Sequence, residues 1–254
     1  MQTWPQMYLN KACFLLFFTI LISTIPSQAI RPSPQQTAST ISVEFDKNRI
    51  TVNAKEYPFS AIGRLNASGI NRRSHCTATL ITPNHILTAA HCLYFKARKR
   101  WFLPNELHFL AGYEHGNFIK HSKIKAITAK GNYNPNQSSH HQNILGDWAI
   151  LSLQEPLNIQ PILLHKIAGS KAAFRLLQSG YHKQRPHVQT SNPNCMIRSQ
   201  FKGLFIHNCI LAPGDSGSPI LYKQQEQYYL VGLNSASIQH HEAGKFGLAV
   251  SSHT

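Results

Sequence analysis

Three short stretches carry side chains that could act together. "LAPGDSGSPIL", Leu211 to Leu221, sets Ser216 between an acid and a glycine. A serine hydroxyl is a weak nucleophile at neutral pH. It needs a base within hydrogen-bond reach, a group to hold that base, and donors for a developing oxyanion. "LTAAHCLY", Leu87 to Tyr94, offers His91 as the base, behind Thr88, Ala89 and Ala90, small residues that let the chain turn tightly. "GDWAILSLQEPL", Gly146 to Leu157, puts Asp147 at the head of an apolar run. A carboxylate there points into a site or costs burial energy. Gly214 and Gly217 permit backbone angles that would aim the amides of Gly214 and Ser216 at one point.

Such a set needs a rigid frame. Runs rich in Val, Ile, Thr and aromatics recur at Phe59 to Leu65, Cys76 to Ile81, His85 to Ala89, Leu107 to Tyr113, Trp148 to Leu153 and Tyr228 to Leu233. Turn signals separate them and long helical periodicity is missing, which predicts an antiparallel all-β barrel or sandwich. The 254 residues suffice for one large all-β unit or two small ones. Cys13 lies in a leading apolar run, and Cys76, Cys92, Cys195 and Cys209 remain as an even set suited to two disulfides. Four cysteines admit three pairings. A Cys76–Cys92 bridge across the turn at Pro83-Asn84 would staple the hairpin before His91, leaving Cys195 for Cys209. No CxxC pair occurs, so no zinc knuckle and no metal is expected.

"TAAHC", "GDWAILSL" and "GDSGSP" resemble the signature segments of the chymotrypsin-like serine proteases, in that family's chain order. The resemblance runs from about Ile50 to Val250. It implies two antiparallel six-stranded β-barrels with the active site in the cleft between them. It also implies His91 as general base, Asp147 as its orienter, Ser216 as nucleophile, and the Gly214 and Ser216 amides as oxyanion hole. "DKNRITVNAKEYPFSAIGRL", "SGYHKQRPH" and "GSPIL" are similar to the bacterial glutamyl-endopeptidase-like branch. By the same resemblance Ile210, Leu211, Asn234, Ser235 and Ser237 fall at the substrate pocket. Ile210 stands where trypsins carry an acid, and Asn234 where glutamyl endopeptidases carry a His. Two activation routes follow: a cut at Arg49–Ile50 with the new amine pairing to Asp215, or a cut near Ile41 to Val43.

The ends and the charge suggest where this happens. Lys11, the apolar run Ala12 to Ile22 and the ending "SQA" predict a signal peptide over 1–29. That run is shorter than the roughly 20 residues a membrane helix needs. Residues 30–41, rich in Pro, Ser, Thr and Gln, read as a propeptide or linker, and 42–254 as one protease domain. The expected product is secreted, monomeric and free of cofactors and membrane spans, acting on protein or peptide substrates. The full chain's net charge of +15, of which the signal peptide would remove only Lys11, favours weak association with anionic surfaces but no specific nucleic acid. "KARKR", Lys96 to Arg100, reads as a solvated loop or a polyanion site, and His140-His141 and His240-His241 as solvated loops. An α/β-hydrolase esterase and an inactive protease-like binding protein are the rival readings. The order His91 before Ser216, and Ser218 in the last place of a G-x-S-x-G elbow, count against the esterase.

Overall fold

The computed structural model describes residues 49–69, 72–137, 140–166, 175–240 and 244–252. The expected signal peptide and propeptide, and the cut near Ile41 to Val43, lie outside the described residues. Six antiparallel strands close a first barrel, in the order Ile62–Gly69, Arg72–Thr82, His85–Thr88, Ala149–Leu153, Lys120–Lys130 and Leu107–Ala111. Leu107, Phe109 and Ala111, like Ala149, Leu151 and Leu153, are buried with half-exposed residues between, the period-two pattern of strands with one face on a core. Phe109 is fully buried in the core, and the missing side chain at Gly63 makes room for its ring. Truncating Phe109 to Ala would cost about 3–5 kcal/mol. The expected strand at Phe59 begins later, because Phe59–Ala61 is a 3-10 turn that follows Pro58.

The second barrel corresponds to one sheet in which strands run in the order Thr190–Cys195, Leu176–Gly180, Pro219–Gln224, Gln227–His240, Gly244–Ser251 and Leu204–His207. Three short strands, Ile50–Thr51, Leu163–Leu164 and Ile197–Phe201, bring its sheet to nine. Leu176, Ile197, Phe205, Ile220, Val231 and Ala249 pack around the buried Cys195 and Cys209. Those two cysteines are bridged, with Cα atoms 5.3 Å apart. The protein therefore has the chymotrypsin-type two-barrel fold and not that of an α/β hydrolase. Among the described residues no helix is long and apolar enough to cross a membrane.

The barrels meet at Thr77 of the Arg72–Thr82 strand. Its N–H donates to Ser216 O at 2.9 Å and its hydroxyl donates to Gly214 O at 3.0 Å. The hydroxyl also accepts from Tyr181 N at 3.0 Å, and the carbonyl accepts from Thr88 Oγ1 at 2.8 Å. Every polar group of this buried residue is engaged, as burial requires.

Candidate active site

His91 sits in a 3-10 turn, Ala90–Leu93, behind the fully buried Ala89 and Ala90. Cys92 is bridged to Cys76, Cα to Cα 6.1 Å, which ties the turn to the neighbouring strand. The Cys76, His91 and Cys92 donor atoms lie within 4.8 Å of one another, but the bridge consumes both sulfurs and leaves no thiolate for a metal.

Asp147 arrives at the head of the strand next to the one that leads into His91, where Ala149 pairs with Thr88. The short helix His141–Leu145 ends at Gly146, and Asp147 N donates back to Ile144 O at 2.9 Å before the Ala149–Leu153 strand begins. The carboxylate is buried and its donors are specific. His91 N donates to Oδ1 at 2.8 Å, and His91 Nδ1 donates to Oδ2 at 2.6 Å. The Ser235 hydroxyl also donates to Oδ2. With the proton fixed on Nδ1, the Nε2 lone pair is left to act as a base.

The serine loop is held residue by residue. Asp215 N donates to Ala212 O, Gly217 N to Asn234 O and Ser218 N to Asp215 O. Pro213 has no N–H. Among the described residues, the Gly214 and Ser216 amides alone in Gly214–Ser218 donate to no carbonyl or side chain. Lys183 N binds Pro213 O at 2.7 Å. A trans peptide sets C=O and N–H in opposite directions, so this bond turns the Gly214 N–H the other way. Gly214 has φ 101° and Gly217 φ 78°. A side chain at Gly214 would strike Tyr181 O, and one at Gly217 would strike Thr77 O and Thr88 Oγ1. His91, Gly214 and Ser216 all line one cavity of about 380 Å³.

A family model described as Trypsin matches residues 51–254. The chain belongs to the trypsin family. Serine protease 23 of Rattus norvegicus is 27% identical over 202 residues, covering 70% of this chain and 51% of that protein. Glucanase inhibitor protein 2 of Phytophthora infestans is 31% identical over 131 residues, covering 52% and 45%. The chain thus spans about half the length of the curated relatives it matches. A solved Glu endopeptidase in complex with MPD superposes with TM-score 0.65 at 20% identity, over 81% of this chain and 91% of that one, which shows the shared fold.

This trypsin-family chain has a second cavity of about 290 Å³, lined by Ile210, Leu211, Ala212, Pro213, Ser237 and Ile238, with Gln184, Gln239 and Lys245. Of the residues that the resemblance puts at the substrate pocket, Ile210, Leu211 and Ser237 are among this lining. Asn234 is not. It is fully buried, donating to Ser218 Oγ at 2.9 Å while His207 Nε2 donates to its Oδ1 at 2.7 Å. Ser235 faces Asp147 instead of the pocket. Both positions fall on a strand, where neighbours point to opposite faces, so one run of sequence cannot line one wall.

The sequence marks Arg49 only as a cut site and gives no sign that its side chain pairs with Asp215. Its side chain is 1% exposed, and Nη2 lies 2.9 Å from Asp215 Oδ2. Nη1 donates to Thr190 Oγ1 at 2.8 Å, and Nη2 also donates to Gln178 Oε1. Gln178 Nε2 closes the ring to Asp215 Oδ1 at 3.3 Å and to Ser218 Oγ at 3.0 Å. Burial pushes the Asp215 carboxyl up, against the opposing pull of Arg49, the Ala212 amide and Gln178. The only hint in sequence was a lone Arg before an alternating run.

Proposed function

We propose that this chain is a secreted serine endopeptidase. Ser216 attacks the peptide carbonyl while His91 Nε2 takes its proton. The Gly214 and Ser216 amides hold the oxyanion, and Asp147 stabilises the imidazolium that forms. His91 then protonates the departing amine, and water repeats the sequence on the acyl-enzyme. No cofactor enters. The observation that carries this reading is the 2.6 Å bond from His91 Nδ1 to Asp147, in a cleft shared with Ser216 and two unengaged amides. Signal removal after Ala29, a propeptide or linker over 30–41 and one catalytic unit over 42–254 complete the proposal. Two disulfides suit an oxidising, extracellular setting.

A binding role is the second reading, favoured by the name of Glucanase inhibitor protein 2. Retention of the Ser, His and Asp together speaks for the enzyme. A fluorophosphonate should label Ser216 and casein should be cleaved, with both lost in Ser216→Ala. A folded protein that never labels, or an alanine variant as active as wild type, would sink the assignment.

A further inference from the structure

The catalytic reading requires Asp215 to be held, since it carries the Gly214 and Ser216 amides on either side. One of the two expected routes supplied a cation by cutting Arg49–Ile50 and inserting the new amine beside Asp215. The geometry points to another arrangement: the Arg49 guanidinium is the cation that orders the serine loop, in the uncut chain. The inference rests on the protease reading and names how that site is switched on.

Four observations carry it. Arg49 already fills the space beside Asp215, with both side chains inside the protein. Ile50, which an amine insertion would bury, is 55% exposed. Ile50 and Thr51 instead pair with Ser191 and Thr190 as an edge strand, and Val52 N donates to Gln189 O at 3.2 Å. That strand anchors the backbone on the surface while the side chain alone reaches inward. Finally, the planar fork does more than a point charge. It holds Asp215, Gln178 and Thr190 together, and Gln178 returns hydrogen bonds to Asp215 and Ser218. The consequence reverses the usual sign. Cutting after Arg49 would place the cation on the upstream fragment, so a cut there would disable the site.

The test uses the full chain. Wild type labelled by a fluorophosphonate should show the Arg49–Ile50 bond intact by mass spectrometry. Label found only on chains beginning at Ile50 would overturn the inference. Arg49→Met should lower kcat about 100-fold, the scale of a lost oxyanion donor, with KM within about threefold. Arg49→Lys should recover to within about tenfold of wild type, because it restores the charge without the fork. Arg49→Met retaining more than about a third of wild-type kcat would overturn it too. Hydrogen exchange at the 212–218 amides gives a readout that needs no catalysis: faster exchange in Arg49→Met is expected, and unchanged exchange refutes the role. If wild type neither labels nor hydrolyses, the protease reading fails, while the exchange comparison still decides Arg49. If Arg49→Met does not fold, the intact-bond measurement and Arg49→Lys decide.

Discussion

The Ser235 hydroxyl and the His91 imidazole donate to the same oxygen, Oδ2 of Asp147. One donor comes from a strand of the second barrel and the other from a turn of the first. The carboxylate is thereby oriented across the cleft, and the imidazole with it.

Removing either part should therefore act on turnover more than on binding. Ser235→Ala loses one hydrogen bond to a charged group and should lower kcat about tenfold, with KM within about threefold. Asp147→Asn should cost about 10⁴ in kcat, because an amide no longer enforces the Nδ1–H tautomer. Steady-state kinetics on one peptide separates the two effects. A rise in KM alone for Ser235→Ala would place it in substrate binding.

The two cavities predict opposite responses to charge. In the proposed mechanism His91 protonates the departing amine, which assigns the cavity it lines to residues after the scissile bond. Lys96 and Lys183 are that cavity's lysines, and its lining contains no carboxylate residue. Its His75 is pushed down to about 4 by burial and the nearby Arg64, so it is neutral at pH 7. Asp or Glu just after the cleaved bond should raise kcat/KM about threefold per lysine engaged. That gain should fade toward 1 M salt and vanish in Lys96→Ala/Lys183→Ala. The other cavity offers Ile210, Leu211 and the like charge of Lys245, so substrates with Arg or Lys before the bond should be cleaved at least about tenfold more slowly than those with Leu. A positional peptide library reads both sides, and a trypsin-like profile would refute the second claim.

Acid should loosen the fold through histidine. His207 is pushed down to about 4 by burial, and His182 to about 3 by burial with Arg49 and Arg185 nearby. With His75, three imidazoles have folded values below the unfolded value of about 6.5. Between those limits the unfolded chain binds the extra protons, so stability is full above about pH 6.5 and is lost as pH falls toward 4. Calorimetry should show Tm falling from pH 7.5 to 5, and falling less in His207→Gln. An equal or higher Tm at pH 5 would contradict the argument.

What the sequence revealed depended on distance along the chain. The segments holding His91, Asp147 and Ser216 each carry their own turn chemistry, small residues and glycines, and so were readable one at a time. The Cys76–Cys92 hairpin was local for the same reason. Arg49 was opaque because its partners lie 129, 141 and 166 residues away. An arginine beside an alternating strand looks solvated until the fold closes over it. That Asn234 and Ser235 lie away from the Ile210 cavity was not readable, because the bulge between Asn234 and Ala236 decides which way each faces.

Thr77 belongs to the first barrel yet fastens the loop that the second barrel presents. Neither half of the molecule is thus a self-sufficient module. A chimaera that exchanged the first barrel would keep an ordered serine loop only if the donor offered a hydroxyl and a free N–H at the place of Thr77. The two barrels are heritable only as a pair, and tolerance to recombination should end at that seam.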